Sequence, residues 1–232
     1  MSIEVNNVSK KYGNRQILDE IKFSVSDKEI VAFLGPNGAG KSTTLKIIAG
    51  FLFPDSGEVK INGTDIQKNR KMLQLKIGYL PENNPLYPEM YVKEYLEYVA
   101  SIYQIKQKTT AIERVIEQTG LNTEYTRKIG QLSKGYRQRV GIAQAIIHNP
   151  SILLLDEPTT GLDPIQLIEI RQLLKDLRKD RSILFSTHNL NEVSELCEHI
   201  VILKNGKIIS DTMLDCLAEE DTLEQLFLRL TK

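Results

Sequence analysis

Short apolar runs and amphipathic stretches alternate along the chain, and this alternation predicts strands and helices in turn. In the first third, apolar residues cluster in short runs bounded by turn-forming residues, which is typical of β-strands. These runs predict four strands, at Ile3–Val5, Ile21–Val25, Glu29–Leu34 and Val59–Ile61. Between the last two, Thr43–Ala49 predicts a helix, with Gly50 placed to end it.

The middle of the chain changes to helical periodicity. Apolar side chains recur there at the three- and four-residue spacing of one helix face, at Val92, Tyr95, Leu96, Val99 and Tyr103. Ala111–Gln118 continues in the same pattern. We therefore expect a helical insert over roughly residues 85–150, placed between strands of a sheet.

Strand and helix patterns return in the last third. Ile152–Leu155 is a compact apolar run of the kind that forms a buried parallel strand, and Ser182–Ser186 predicts another strand. An amphipathic helix is predicted between them, with apolar residues at Ile170, Leu173, Leu174 and Leu177. Asn189, with Glu192 three residues later, predicts a capping box that opens a further helix.

A hairpin is predicted near the C-terminus, where Ile200–Lys204 and Lys207–Ser210 flank the turn pair Asn205-Gly206. The alternation of strand, helix and strand around a helical insert indicates an α/β fold. The sequence contains no internal repeat, low-complexity tract or linker-like stretch. We expect residues 1–232 to form a single domain.

The composition argues against one class of function, nucleic-acid binding. The 232 residues are 41% hydrophobic and 26% charged, which is an ordinary globular balance. Lys and Arg number 30, as do Asp and Glu, so the formal net charge is zero. This balance argues against nucleic acid as the main partner, because binding to a phosphate backbone needs a basic excess or a basic face.

The sequence also has few cysteines and no apolar run of membrane length. Cys197 and Cys216 are too few for a disulfide framework and predict two reduced thiols in a cytosolic protein. No apolar run approaches the ~18–20 residues that span a bilayer, and the start of the sequence lacks a signal-peptide pattern. If the protein works at a membrane, we expect it to act from the aqueous side through partners.

Residues Gly35–Ser42, here called the phosphate loop, read Gly-Pro-Asn-Gly-Ala-Gly-Lys-Ser and lie between a predicted strand and a predicted helix. The three glycines let backbone N–H groups approach phosphate oxygens, and the helix start adds its positive dipole end. Lys41 would reach the β- and γ-phosphates, and the Ser42 hydroxyl would coordinate Mg²⁺. The pattern predicts nucleotide binding without separating kinases, GTPases and transporter ATPases.

Two acidic residues, Asp156 and Glu157, follow the apolar run that ends at Leu155. A strand in this position delivers Asp156 to the phosphate site, where it can hold Mg²⁺ through a coordinated water. Glu157 can orient and polarise an attacking water, and such general-base help is typically worth roughly 10²–10⁴ in rate. Beside a phosphate loop, we favour this functional interpretation over that of an ordinary acidic strand end.

The segment Leu132–Arg139, here called the signature segment, reads Leu-Ser-Lys-Gly-Tyr-Arg-Gln-Arg and precedes the acidic strand. Leu-Ser-x-Gly, a basic helix-forming stretch and then Leu-Leu-Leu-Asp-Glu-Pro resemble the signature region of ATP-binding cassette (ABC) ATPases. The resemblance covers essentially the whole chain. It implies a P-loop NTPase with a RecA-like, mainly parallel core sheet, an N-terminal antiparallel β subdomain and an inserted helical subdomain.

The resemblance also implies roles for individual residues. Tyr12 resembles the aromatic that stacks on adenine, Asp163 lies in the dimer loop after the catalytic carboxylate, and His188 resembles the switch histidine at the γ-phosphate. Ser133 and Gly135 would face the nucleotide of a partner subunit. The expected nucleotide-binding set is Tyr12, Gly35, Pro36, Asn37, Gly38, Ala39, Gly40, Lys41, Ser42 and Thr43.

Two positions depart from the family pattern. Glu82 stands where the family usually has a glutamine that touches Mg²⁺, and Tyr136 stands where glutamine is typical. A carboxylate still ligates magnesium but cannot donate a hydrogen bond as an amide does. The expected Mg²⁺ ligands are Ser42, Glu82 and Asp156. Both departures resemble a branch that serves type-2 exporters, most closely the gliding-motility-associated subunits.

The implied assembly is a pair of cassettes, expected to be a homodimer, bound to a membrane permease. We expect ATP and Mg²⁺ as cofactors, no nucleic-acid partner, and a cytoplasmic location at the inner face of the membrane. One alternative is a cassette ATPase acting on ribosomes or DNA, which the single phosphate loop and the lack of coiled-coil or zinc patterns disfavour. The other alternative is a kinase or GTPase. The Leu-Ser-x-Gly pattern at Leu132–Gly135 disfavours it, because those classes do not need this pattern.

Overall fold

The computed structural model describes residues 2–216 and 223–231, and within those residues ten strands form two sheets. The first sheet is antiparallel and consists of β1 (Ile3–Tyr12), β2 (Arg15–Val25), β4 (Ser56–Ile61) and β5 (Thr64–Asp65). The second consists of β3 (Ile30–Leu34), β6 (Ile77–Leu80), β7 (Ile152–Asp156), β8 (Ser182–Thr187), β9 (His199–Lys204) and β10 (Lys207–Met213). Its strand order is β10-β9-β3-β8-β7-β6, and only β10 runs antiparallel to its neighbour.

Helices occupy the connections between these strands. Their bounds are α1 (Lys41–Ile48), α2 (Arg70–Gln74), α3 (Val92–Ile102), α4 (Lys108–Gln118), α5 (Lys134–Ile146), α6 (Pro164–Arg178), α7 (Leu190–Leu196) and α8 (Leu223–Thr231). Short 3₁₀ turns lie at Ile129–Gln131 and Leu214–Cys216. Helices α3, α4 and α5 follow β6 and precede β7, so the predicted helical insert within the α/β fold is confirmed.

The six-stranded sheet is buried on both faces. Successive side chains of β7 enter different hydrophobic clusters, because neighbouring residues of a strand point to opposite faces. Leu153 and Leu155 pack with residues of α3–α7, whereas Ile152 and Leu154 pack with α1 and the antiparallel sheet. This double burial explains why the central strands are continuous apolar runs rather than alternating ones.

The strand order brings three chemically active segments together. Strands β3, β8 and β7 are neighbours and run parallel, so their carboxyl ends meet at one edge of the sheet. The phosphate loop follows β3, Glu157 follows β7 and His188 follows β8. Ligands of open α/β sheets bind outside the carboxyl ends of the strands, which is where these segments converge.

Some predicted element bounds differ from those of the structure. Strand β1 continues past Val5 to Tyr12, and β2 already begins at Arg15. Apolar alternation does not reveal these outer ends, because both strands are partly exposed there and register shifts interrupt the β1–β2 pairing. Helix α1 begins at Lys41, two residues before the predicted start, and the short strand β6 was not predicted.

The predicted capping box at α7 is wrong, although the helix begins as expected. The Asn189 side chain caps the helix by accepting from the N–H of Asn191 at 3.0 Å. In a capping box, Glu192 would accept from the backbone N–H of Asn189. That N–H instead donates to Thr187 Oγ1 at 3.0 Å, and the Glu192 carboxylate turns into the protein.

Both cysteines carry free thiols, with Cys197 buried and Cys216 exposed. Of the helices in the described ranges, none has the length and apolar character needed to cross a membrane.

A histidine between two carboxylates fixes the edge of the six-stranded sheet. The His199 side chain, at the start of β9, bonds Glu29 Oε1 through Nδ1 at 2.9 Å and Asp211 Oδ1 through Nε2 at 2.6 Å. The hydrogen bonds that His199 donates to Asp211 and Glu29 raise its pKa to about 9. The pair of bonds therefore holds β10 and the residue before β3 to a charged imidazolium.

We predict that His199→Gln destabilises the protein most below about pH 6.5 and progressively less as the pH rises through about 9. The imidazolium has a raised pKa in the folded state, so its contribution is complete below the unfolded pKa and is lost as the folded group deprotonates. Urea unfolding of both proteins at pH ~6, ~7.5 and ~9.5 measures the difference.

His148→Gln is the matched control. Burial lowers the pKa of His148 to about 4, so this ring is neutral in the folded protein throughout that range. Its substitution is expected to change the free energy of unfolding by an amount that is constant above about pH 6.5. A pH-independent effect of His199→Gln would contradict the charged bridge.

Candidate functional site

A cavity of about 360 Å³ opens beside the phosphate loop. Seven of the predicted nucleotide-binding residues line it: Tyr12, Asn37, Gly38, Gly40, Lys41, Ser42 and Thr43. Arg15, Ile17, Glu82 and Glu157 complete the lining. Gly35, Pro36 and Ala39 do not line the cavity; the Ala39 side chain is buried in the core.

Lys41 is the first residue of α1 and is buried, with 6% of its surface exposed. Its Nζ donates to the carbonyl oxygen of Gly35 at 2.7 Å and lies 3.4 Å from Glu157 Oε1. Gly40 precedes it with a φ of +114°, and a Cβ there would lie 2.6 Å from Leu18. A glycine is therefore required at this position if the loop is to present the lysine and the helix start to the cavity.

Glu157 directly follows β7 with a φ of +50°, which is uncommon for a residue other than glycine. Its backbone N–H donates to Ser186 Oγ at 2.9 Å. Its Oε2 accepts from Thr160 Oγ1 at 2.9 Å and lies 2.9 Å from His188 Nδ1. A carboxylate only accepts, so the proton of this second bond belongs to the imidazole. The two predicted catalytic side chains are thus in direct contact.

Asp156 is buried at the end of β7, with 2% of its surface exposed, and accepts from Ser186 Oγ at 2.6 Å. Burial raises the pKa of Tyr79, and the negative charges of Asp156 and Glu82 add to that rise. Both carboxylates therefore lie near the same phenol. Ser42 and Glu82 line the cavity, and Asp156 lies at the end of β7; all three side chains offer the oxygen donors that Mg²⁺ prefers.

The side chains alone do not enclose a metal ion. In residues 2–216 and 223–231, no three His, Cys, Asp or Glu side chains cluster in a way that could hold one. Mg²⁺ is ordinarily held by one or two carboxylates together with substrate phosphates and water, so the arrangement suits an ion that arrives with a nucleotide.

The signature residues lie outside this cavity. Ser133 caps the start of α5, accepting from the N–H of Tyr136 at 3.3 Å, and Asp163 caps α6. Gln166 joins them: its backbone N–H donates to Asp163 Oδ1 at 2.9 Å, and its side-chain Nε2 donates to Ser133 Oγ at 3.4 Å. A Cβ on Gly135 would lie 2.6 Å from the same side chain. Ser133, Gly135 and Asp163 therefore form a second group, distinct from the residues around Lys41.

Ser186 and Thr160 are two further site residues, not predicted from the sequence, whose hydroxyl groups hold the predicted acids. Ser186 bonds both Asp156 and the backbone of Glu157, and Thr160 bonds the Glu157 carboxylate. Ser186 lies in the same Phe-Ser-Thr-His stretch that marks His188. Its pairing with Asp156 follows from the register of β7 with β8, which no local pattern of the sequence contains.

The geometry suits hydrolysis of a phosphoanhydride. The cavity offers backbone N–H groups, a helix N-terminus and an ammonium group to phosphate oxygens. Glu157 lies beside the ammonium group and can orient a water, and its contact with Nδ1 holds the His188 imidazole next to this carboxylate.

Known proteins that resemble this chain in sequence include transport ATP-binding proteins, which agrees with a site for a phosphoanhydride. The family model described as "ABC transporter" matches residues 18–160. The bacitracin transport ATP-binding protein BcrA of Bacillus licheniformis is 38% identical over 221 residues, covering 94% of this chain and 72% of that protein.

Two solved structures extend the similarity to the fold. An ATP-binding subunit of an ABC transporter matches with a TM-score of 0.88 and 31% identity, covering 100% of both chains. A dimeric post-hydrolysis structure of the ATP-binding cassette MJ0796, bound to ADP and Pi, matches with a TM-score of 0.82 and 29% identity. That match covers 91% of this chain and 98% of the other.

We predict that Ser186→Ala lowers the free energy of unfolding by about 1–3 kcal/mol, because it leaves a buried carboxylate and a backbone N–H each without a partner. Urea unfolding measures the change. Ser194→Ala, at an exposed position of α7, is the control and is expected to stay within about 0.5 kcal/mol of wild type. Equal effects of the two substitutions would contradict the assigned contacts.

Proposed function

The chain belongs to the ABC transporter family, and from this we propose how its own residues carry out ATP hydrolysis for transport. The predicted ATP-binding and ATP-hydrolysing function is confirmed, and the chain is an ATP-binding subunit with ATPase activity. The proposed mechanism rests on one observation, the contact of the Glu157 carboxylate with both Lys41 Nζ and His188 Nδ1.

The proposed nucleotide site is the cavity at the phosphate loop. Backbone N–H groups of the phosphate loop and the start of α1 would cradle the phosphates, and Lys41 would move from the Gly35 carbonyl to the β- and γ-phosphates. Tyr12, which is half exposed at the cavity, would stack on adenine. The loop arrangement supports this assignment because donors and a helix start face one cavity.

Mg²⁺ is the proposed second cofactor, with Ser42, Glu82 and Asp156 as its protein-side ligands. When bound, it would neutralise charge on the phosphates. Support comes from the oxygen-only donor set and from the placement of Glu82 in the cavity wall. Glu82 would serve as a ligand without the donor capacity of the family's glutamine.

Glu157 is the proposed general base and His188 the proposed γ-phosphate contact. Their mutual hydrogen bond places a proton on His188 Nδ1 and holds the ring beside Glu157. A hydrogen bond from Nε2 to a γ-phosphate oxygen would need a proton on that nitrogen as well. Positioning and charge stabilisation supply most of the rate enhancement in phosphoryl transfer. The contribution of Glu157 and His188 therefore depends mainly on how they are placed relative to each other.

A second cassette is the proposed partner, with a homodimer as the expected pair. Ser133, Gly135 and Asp163 lie outside the chain's own cavity, and the signature segment presents a helix start that suits an anion. We propose that this group completes the nucleotide site of the partner copy. The dimeric state of the MJ0796 cassette supports the pairing.

A membrane permease is the proposed second partner, docked in a groove of about 700 Å³. The groove is lined by exposed apolar side chains, including Phe51, Leu75 and Ile102. Pro81 and Pro85 also line it, and Glu82 between them lines the nucleotide cavity. A permease segment in the groove would thus touch the stretch that reaches the nucleotide, which offers a route for coupling.

We propose that the chain, as one domain over residues 1–232, works on the cytoplasmic face of the membrane in a type-2 exporter. The similarity to a bacitracin transport protein supports a transport role. A system of the gliding-motility-associated type is the finer part of this proposal and rests on the sequence at Glu82 and Tyr136. Cofractionation with membranes only when a permease is present would support this placement. Cosedimentation with ribosomes would support the alternative of a translation-associated ATPase.

We predict that Glu157→Gln binds ATP and pairs in its presence but turns over at least about 100-fold more slowly than wild type. The amide keeps the shape of the side chain and loses the basic oxygen, and removing a negative charge beside Lys41 favours phosphate binding. Steady-state ATPase assays and size-exclusion chromatography with and without ATP measure both effects.

Glu89→Gln, at an exposed position of the helical insert, is the control and should behave as wild type. Wild-type turnover in Glu157→Gln would remove this carboxylate from the proposed chemistry.

A further inference from the structure

Glu192 is a buried carboxylate to which the proposed mechanism gives no role. It lies in α7 with 3% of its surface exposed. Among the ion pairs of residues 2–216 and 223–231, none includes it. Burying a carboxylate costs several kcal/mol unless donors satisfy it, so its surroundings must compensate.

Two threonine hydroxyls provide most of that compensation. Glu192 Oε1 accepts from Thr159 Oγ1 at 2.5 Å, and Oε2 accepts from Thr187 Oγ1 at 2.7 Å. Both threonines are buried. Hydrogen bonds to an ionised acceptor are short and about twice as strong as neutral ones, so the carboxylate holds both hydroxyls firmly.

The two threonines belong to the two segments that carry the proposed catalytic side chains. Thr159 stands two residues after Glu157, and Thr187 immediately precedes His188. These segments are joined directly by the bond from His188 Nδ1 to Glu157 Oε2. Glu192 joins them a second time, through their buried threonines.

We infer that Glu192 is a positioning residue for ATP hydrolysis, which holds the Glu157 segment and the His188 segment in their mutual placement. This inference rests on the proposed roles of Glu157 and His188. The His188 ring is half exposed, so its placement depends strongly on the backbone at Thr187. Small misplacements of catalytic groups can cost up to about 10²-fold in rate.

The first test is steady-state ATPase kinetics of Glu192→Ala. We expect kcat to fall about tenfold or more while the KM for ATP stays within about twofold, because the phosphate loop is untouched. Glu192→Gln should recover most of the turnover, since the amide spans the same distance and a hydroxyl can turn to accept from it. Glu195→Ala, on the exposed side of α7, is the matched control and should match wild type.

A second pair of variants cuts the bridge without deleting the carboxylate and serves if Glu192→Ala does not fold. Thr159→Val and Thr187→Val each remove one hydroxyl with little change in volume. Each should lower kcat by about threefold or more. Thr119→Val is the control. Thr119 is also fully buried, and its hydroxyl donates to a helix carbonyl, but it lies in the helical insert and does not contact Glu192. It should leave kcat unchanged.

The deciding measurement repeats Glu192→Ala in a His188→Ala background. A positioning role predicts a much smaller loss of kcat there than in the wild-type background, because one of the two groups to be positioned is already absent. An equal loss in both backgrounds, or no loss from Glu192→Ala or the threonine variants, would overturn the inference. Wild-type turnover in both His188→Ala and Glu157→Gln would instead overturn the roles proposed for these two residues in ATP hydrolysis.

Discussion

The Glu157 carboxylate, in contact with Lys41 Nζ and His188 Nδ1, is the interaction on which the site depends. Those three side chains come from three different segments, and only the adjacency of β3, β8 and β7 brings the segments to one edge. The adjacency in turn requires a sheet that is buried on both faces, which the continuous apolar strands provide. Core packing and catalytic geometry are therefore consequences of the same strand order.

The site stores strain and buried charge where the chemistry is expected. Glu157 adopts a left-handed backbone conformation, at a cost of about 1–3 kcal/mol, and Asp156 is buried beside it. Hydroxyl groups from Ser186 and Thr160 compensate for part of this cost. The acids are thus fixed by hydrogen bonds, and the cavity opens at the phosphate loop, where a charged ligand would enter.

The sequence predicts the fold class and most of this site, because the phosphate loop, the acidic strand end and the signature segment are local patterns. It predicts less where the outcome depends on pairing between distant segments. The Asn189–Glu192 spacing indicates a capping box, but burial beside two threonines draws the carboxylate inward. The outer parts of β1 and β2 are not predicted, because apolar and polar residues need not alternate in strands that are partly exposed. Ser186 meets Asp156 only through strand register.

The central claim is that one chain holds half of a nucleotide site and that a second chain completes it. Mixing Lys41→Ala with Gly135→Asp tests this most directly, because each variant is impaired in a different half. The mixed pair contains one site with an intact Lys41 from one chain and an intact signature segment from the other. The account predicts little ATPase activity in either variant alone and recovery on mixing. If both variants are folded and the mixed pair forms, inactivity of the mixture would contradict the claim.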